Sequence, residues 1–396
     1  MDFITQWFWL FLLLPVAALS GWVIGRRGGE RHSDTQVSRL STTYFRGLNY
    51  LLNEQPDKAI DAFIDVVQVD PETIELHFAL GNLFRRRGET DRAIRVHQNL
   101  IERRDLDPEQ REHALFELGQ DYLRAGLIDR AEDAFNRLEG SRYRAAALHH
   151  RLQIAQMVRD WPQAIAIAER LQIDLGEKRS RELAHFHCER AAAILAADGA
   201  DAPKAAMDAI TLATEADPDH PRPWLMRGEL ALRDDKPQQA LEAWERMLEI
   251  SPGHASLIAV PWLEASRRVG RLDEGIERLE RIVTSAPSID VFRAVFDARL
   301  ARDGVDATIE WAEGILRNWP SLLALETLLS AGAESRNPRE RARDDLIRSL
   351  AREQAERLGR YVCSYCGFKA RTYYWQCPGC SRWDSYAPRR GEGIGE

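Results

Sequence analysis

The sequence is poor in thiols, in excess positive charge and in long apolar runs, and it lacks the signatures of common catalytic sites. Of 396 residues five are cysteine, and four of these stand between Cys363 and Cys380. The formal net charge is −8, which counts against a general nucleic-acid binder, since such a protein carries a basic surface. No G-x-x-x-x-G-K-[ST], H-E-x-x-H or G-x-S-x-G occurs, so nothing points to a phosphate loop, a zinc protease or a serine hydrolase. "GRRGGE" at Gly25–Glu30 has glycines but neither the lysine nor the strand-to-helix setting of a phosphate loop. The ten histidines are scattered. In "AHFHCE", His185 and His187 are two apart and point in different directions on a helix, so they would not share a ligand. Cys188, in an alanine-rich stretch, reads as a small core residue. The paired carboxylates read as surface charge at helix spacing. No catalytic residue is assigned, and the chain reads as a non-enzyme.

One run is strongly apolar. From Phe3 to Gly25 there is no charged residue, and Leu, Phe, Val, Ile and Trp dominate. About 20 apolar residues cross a hydrocarbon core as a helix. Trp7, Trp9 and Trp22 stand near its ends, where indoles favour the membrane interface, and Pro15 is tolerated better in a membrane helix than in a soluble one. The competing reading is a cleaved signal peptide with "VAALSG" as the cleavage region. Such a peptide wants a basic leader, and the only charge before the run is Asp2. Arg26, Arg27 and Arg31 follow it, so the positive-inside rule puts the N-terminus outside and the remainder in the cytoplasm. In that reducing compartment clustered cysteine pairs suggest a metal site.

The middle of the chain repeats itself. Gly47 and Gly81 are 34 residues apart, as are Ala59 and Ala93, and "LGNLFRRRGETDRAI" from Leu80 recurs as "LGQDYLRAGLIDRAE" from Leu118. Gly228, Ala240, Trp244 and Pro252 stand at the offsets of Gly47, Ala59, Phe63 and Pro71; Pro218, Pro252, Pro287 and Pro320 follow at 34, 35 and 33. A 34-residue period with this Gly, Ala, aromatic and Pro pattern resembles the tetratricopeptide repeat. Gly47, Gly81, Gly119 and Gly228 in the first helix, with Ala59, Ala93, Ala131 and Ala240 in the second, allow close helix approach. Phe63, Phe135 and Trp244 are expected to fill the space between repeats. Gly-x-x-Asp turns at Gly88–Asp91, Gly126–Asp129 and Gly270–Asp273 predict a left-handed glycine ending one helix and an Asp capping the next. Eight units are traced from about Thr43 to Pro320, those around Leu152–Ala168, Ala206–Pro218 and Thr308–Pro320 being degenerate. Such arrays hold other proteins on a concave face, and Asn82, Arg85, Gln120 and Arg124 fall at suitable offsets for partner binding.

The four late cysteines, Cys363, Cys366, Cys377 and Cys380, form C-x2-C-x10-C-x2-C. Each C-x2-C makes a tight turn that aims two sulfurs at one point, and two such turns give a tetrahedral site of four sulfurs. Two disulfides are the alternative. The paired knuckles resemble both rubredoxin and zinc ribbons, so iron or zinc is expected. The site is expected to be structural, because some thirty residues bury too little core to fold alone. Between Arg360 and Arg390 six Lys/Arg face one acid, Asp384. Interleaved Tyr373, Tyr374, Trp375 and Trp383 admit a nucleic-acid stacking reading, but packing around the metal and docking on the last helices is the preferred one.

The expected fold is therefore all-α: an N-terminal transmembrane helix, a tetratricopeptide-repeat superhelix and a small rubredoxin-like or zinc-ribbon module. The boundaries are 1–25 for the anchor, 26–38 for a linker, 39–320 for the repeats, 321–358 for capping helices, 359–390 for the metal module and 391–396 for a tail. "LLLPVAALSGWVIGRR", "LGNLFRRRGETDRAIRVHQNL", "DYLRAGLIDRAEDAFN", "AHFHCE" and "CGFKARTYYWQCPGCSRW", in that order, resemble the lipopolysaccharide assembly protein B family of Gram-negative bacteria. The resemblance implies a non-catalytic inner-membrane scaffold with its C-terminal part in the cytoplasm. It would promote degradation of the deacetylase LpxC by the membrane protease FtsH and help assemble lipopolysaccharide-synthesis enzymes. It also implies one metal ion on Cys363, Cys366, Cys377 and Cys380. A general envelope-enzyme scaffold without a role in proteolysis, or a rubredoxin-type electron carrier, are the alternatives.

Overall fold

The structure, a computed structural model, describes residues 18–20, 22, 45–47, 49–50, 53, 55–69, 73–331, 338–357 and 360–391. The expected anchor Phe3–Gly25 lies almost wholly outside them, as does the linker 26–38. Among the described residues no helix is long and apolar enough to cross a membrane. The chain divides into two compact units, Met1–Val158 and Arg159–Glu396.

The first unit carries α1 (Pro56–Val69), α2 (Ile74–Arg87), α3 (Thr90–Glu102), α4 (Pro108–Arg124), α5 (Ile128–Asn136) and α6 (Arg144–Val158). In the second come α7 (Trp161–Leu175), α8 (Ser180–Ala196), α9 (Ala202–Ala216), α10 (Pro221–Arg233), α11 (Pro237–Ile250) and a single 3-10 turn, Pro252–His254. Then follow α12 (Ala255–Arg268), α13 (Leu272–Ser285), α14 (Ile289–Asp303), α15 (Val305–Asn318), α16 (Leu322–Ala331) and α17 (Pro338–Arg357). Strands β1 (Tyr361–Val362) and β2 (Lys369–Ala370) follow as an antiparallel pair. Pro218, Pro252, Pro287 and Pro320 fall just beyond α9, α11, α13 and α15, where a residue without an N–H cannot extend the helix.

The repeat logic is visible in the packing. A side chain at Gly47, Gly119 or Gly228 would collide with the ring of Phe63, Phe135 or Trp244 respectively. Each aromatic thus lies over the glycine of its own helix pair, and Phe135 also stacks on His150 of the next helix at 4.8 Å. All three rings are essentially fully buried, and burying a large apolar side chain contributes about 1.5–3 kcal/mol. At Gly81 the corresponding ring is His97, a substitution of imidazole for benzene that the repeat pattern did not single out. Trp244, Trp262, Phe292 and Phe296 anchor the core of the second unit.

The inter-helix turns hold one correction. Gly88, Gly126 and Gly270 do adopt left-handed φ values of 82°, 75° and 73°. The expected Asp caps do not form. The N-caps are Glu89, Leu127 and Arg271, none with a side-chain cap bond, and Asp91, Asp129 and Asp273 sit inside the first turn. There their charge faces the positive end of the helix dipole, which is the physical use of an acid at that offset.

Candidate metal centre and its seat on the repeats

The tail is built from short antiparallel pairings. Tyr361 pairs with Ala370 and Val362 with Lys369; single bridges join Cys363 to Tyr386 and Gln376 to Trp383. These pairings bring the two C-x2-C turns face to face. Cys363 Sγ lies 3.8 Å from Cys380 Sγ and Cys366 Sγ lies 3.6 Å from Cys377 Sγ, and all four sulfurs fall within 4.8 Å of one another. A disulfide needs about 2.05 Å, and all five cysteines of the chain are free. Sulfurs about 2.3 Å from one tetrahedral ion stand about 3.8 Å apart, so this quartet fits a metal. Backbone N–H groups support it: Cys366 donates to Cys363 Sγ at 3.5 Å and Gly379 to Cys377 Sγ at 3.4 Å. Gly367 turns the first knuckle at φ 73°.

The sulfurs do not ionise alike. Desolvation opposes the Cys363 thiolate, but hydrogen bonds from Ser385 and nearby backbone groups outweigh it and pull the thiol down to about 6. At Cys366 the Phe368 N–H favours the thiolate, yet desolvation and the other three sulfurs push the thiol up to about 12. Four thiolates this close repel one another, and a divalent cation removes that conflict.

Two tryptophans of the module face the repeats. Trp383 stacks on His185 with centroids 4.4 Å apart and meets Phe186 edge-on at 6.0 Å. Trp375 lies parallel to His254 at 5.3 Å. The Arg222 guanidinium sits 5.5 Å from the Trp375 ring and 5.8 Å from that of Trp383, and is tied to Glu189 at 2.7 Å. Arg390 pairs with Asp290 at 3.2 Å, and the Ser256 hydroxyl donates to the Pro388 carbonyl. The seat therefore runs over α8, the start of α10, the 3-10 turn, α12 and the start of α14. The sequence reading places it on the last helices, and the structure corrects this. Flat imidazole and guanidinium faces match indoles, whereas α17 is charged along most of its length.

The seat contains a second convergence. Asp384 Oδ2 lies 3.0 Å from His185 Nε2, 3.7 Å from His220 Nε2 and 2.5 Å from Arg181 Nε. Two imidazoles and a carboxylate could hold a cation, but the outer partner of His220 does not suit that role. His220 Nδ1 accepts the Arg222 backbone N–H at 3.1 Å, and His185 Nδ1 faces an Arg222 nitrogen, which can only donate, at 3.3 Å. His220 Nε2 therefore carries its proton, and it lies nearer to His185 Nε2, at 3.1 Å, than to Asp384, while His185 Nε2 is within hydrogen-bond reach of the carboxylate. An imidazole holding a metal through Nε2 needs its proton on Nδ1 and an acceptor for it. Burial opposes ionisation of Asp384, but these donors outweigh it and hold its carboxyl far below the usual range. Burial, opposed by Asp384, brings His185 down to about 4, so it is neutral near pH 7. The backbone of Asp384 sits at φ 50°, a costly conformation for a non-glycine residue that the surrounding contacts maintain.

These histidines were legible but unread. His185, His220 and His254 stand 35 and 34 residues apart, the period of the array, so one repeat position meets the tail three times. His187 is buried nearby, and Cys188 is fully buried, as expected of a small core residue. In the first unit, Arg85 is held between helices: it donates to Asn82 Oδ1 and Glu117 Oε2 at 2.5 Å and to Asp121 Oδ1 at 2.8 Å. His97 Nδ1 contacts the other Asp121 oxygen at 2.5 Å. Gln120 is half-buried and Arg124 exposed.

Residues 361–388 match the family described as "Rubredoxin metal binding domain", and residues 46–108 match "Tetratricopeptide repeat". Lipopolysaccharide assembly protein B of Escherichia coli (strain K12) is 38% identical over 385 residues, covering 96% of this chain and 98% of that protein. Its namesake from Haemophilus influenzae is 31% identical, covering 96% of this chain and 97% of that protein. A solved tetratricopeptide repeat protein from Parabacteroides merdae matches 79% of this chain at 10% identity with a TM-score of 0.28, too loose a likeness to bear on the fold. A helical repeat array carrying a four-cysteine metal-binding module, matched along nearly its whole length by these relatives, places the chain in the lipopolysaccharide assembly protein B family.

Proposed function

We propose that this protein is a non-catalytic adaptor of lipopolysaccharide synthesis, held at the bacterial inner membrane by residues 1–25 with its C-terminal part in the cytoplasm. The repeats of 39–320 hold protein clients, 321–358 cap them, and the module of 359–390 carries one zinc or iron ion on Cys363, Cys366, Cys377 and Cys380. The client is LpxC, delivered to FtsH in the same membrane, and lipopolysaccharide-synthesis enzymes share the platform. A membrane helix would raise the effective concentration of client beside a membrane protease. Asn82, Arg85, Gln120 and Arg124 line the client surface; Arg124, being exposed, is the direct contact, while Arg85 orders the surface through Glu117 and Asp121.

The observation that carries this reading is the match of 96% of the chain to relatives named for lipopolysaccharide assembly. The ion's part is structural: once bound it neutralises four crowded sulfurs, while Trp375, Trp383 and Asp384 fix the module on the repeats. The test is LpxC half-life in cells lacking the native protein and supplied with either the full chain or residues 26–396. Fast turnover with the full chain and slow turnover with the soluble, folded form is the expected result. Equal turnover with both would remove the anchored-adaptor reading.

A further inference from the structure

The exposed side chains of the metal module have an unusual composition. In the β1–β2 pair, Tyr361 and Ala370 are buried while their neighbours Val362 and Lys369, opposite one another, are exposed. Val362 is 41% exposed, Phe368 43% and Tyr365 62%. The Arg382 guanidinium lies 3.6 Å from the Tyr365 ring centre, and Arg371 is exposed close by in sequence. The only acid of the module, Asp384, is turned inward onto His185. This exposed surface thus combines apolar and tyrosine side chains with three cations, while the module's single acid is turned inward, in a chain whose overall formal charge is −8.

We propose that this surface rests on an anionic bilayer. Nearby cations are attracted by anionic headgroups, Val362 and Phe368 supply apolar area for the headgroup boundary, and tyrosine favours that interface. A nucleic acid would call for a run of open aromatic faces to stack on, but Trp375 and Trp383 are used by His254 and His185 and Arg382 covers Tyr365, which leaves Phe368 and Tyr374 as the exposed rings. The inference rests on the membrane-anchor part of the proposed function, which would bring the module near a membrane.

The test is amide hydrogen exchange over 361–374 in the full chain, in nanodiscs of phosphatidylglycerol with phosphatidylethanolamine and in nanodiscs of phosphatidylcholine. Exchange about tenfold slower in the anionic discs is expected. The difference should vanish at about 0.5 M salt, where screening is strong, and in the Lys369→Glu, Arg371→Glu variant with its metal content intact. Equal exchange in both discs, or protection that survives salt and the charge reversal, overturns the proposal. An acidic protein partner as the true occupant would give equal exchange in both discs. Failure of the chain to enter discs would count against the anchor alone. Flotation with phosphatidylglycerol vesicles then decides the surface, since binding lost on charge reversal supports it and no binding overturns it.

Discussion

The Asp384 carboxylate, on the metal module, lies 3.0 Å from His185 Nε2, on α8 of the repeat array. Nearly two hundred residues of chain separate the two, so the module and the repeats are joined by chemistry as well as by sequence. The Asp384→Asn variant keeps the shape and loses the charge that His185 Nε2 and Arg181 face. Hydrogen bonds to a charged group contribute about 1.5–3 kcal/mol, and docking should weaken by about that much. A red shift of Trp375 and Trp383 fluorescence with unchanged metal content is the expected signature. An unchanged spectrum and unfolding midpoint would show that ring stacking alone holds the seat.

Acid should loosen the same seat. Burial lowers both His185 and His254 to about 4 against the ordinary 6.5, with Asp384 opposing and His220, Arg222 and Arg181 adding to the shift. Neutral imidazole is the form the fold prefers, so the unfolded chain binds more protons between these values. The stabilisation is complete above about pH 6.5 and is lost as the pH falls toward about 4. Depression of the Asp384 carboxyl acts in the same direction at lower pH. Unfolding followed by Trp fluorescence from pH 8 to pH 5 should show the loss in the native chain and a smaller one in His254→Phe. A flat profile would contradict the assigned burial of the two rings.

Removing metal ligands should act locally at first. In the Cys377→Ser, Cys380→Ser variant the bound ion, one per chain in the native protein, should be absent, and trypsin should cut within 360–391 at Lys369, Arg371 or Arg382. The helices of Met1–Val158 should keep their protection. Native metal content in the variant would show that these sulfurs are not the ligands.

Gly228 leaves no room for a side chain beneath Trp244. Gly228→Ala should therefore destabilise the second unit by about 1–3 kcal/mol through overpacking, although alanine favours helix at an unconstrained position. Denaturant unfolding measures the sign directly, and a stabilised variant would mean that the indole relocates at little cost.

His97 stands where other repeats carry Phe63 or Phe135, and its Nδ1 contacts the buried Asp121. His97→Phe restores the aromatic pattern but leaves Asp121 with Arg85 as its remaining side-chain partner. A loss of about 1–3 kcal/mol in unfolding free energy is expected from the broken buried hydrogen bond. A gain would show that packing over Gly81 outweighs it.

Local rules were enough for much of this. The 34-residue period, the glycine–aromatic pairs, the left-handed Gly88, Gly126 and Gly270, the prolines after α9, α11, α13 and α15, and the C-x2-C pairs each depend on neighbours within one helix pair or one knuckle. That is why a sequence pattern reports them. The misassigned Asp caps were also local, and failed because an acid in the first turn and an acid at the cap share a motif but differ by backbone angles. Where the tail rests was a different kind of question. His185, His220 and His254 carry a period, but a period does not say which face it lines or that Trp375 and Trp383 will meet it across long stretches of chain. Nor does composition alone decide between metal and carboxylate chemistry at His185, His220 and Asp384. The sequence by itself determined the repeats and the four-cysteine module, because each is written in short-range spacing; only the tertiary structure decided that Trp375, Trp383 and Asp384 meet His185, His220 and His254, because that depends on the meeting of groups far apart in the chain.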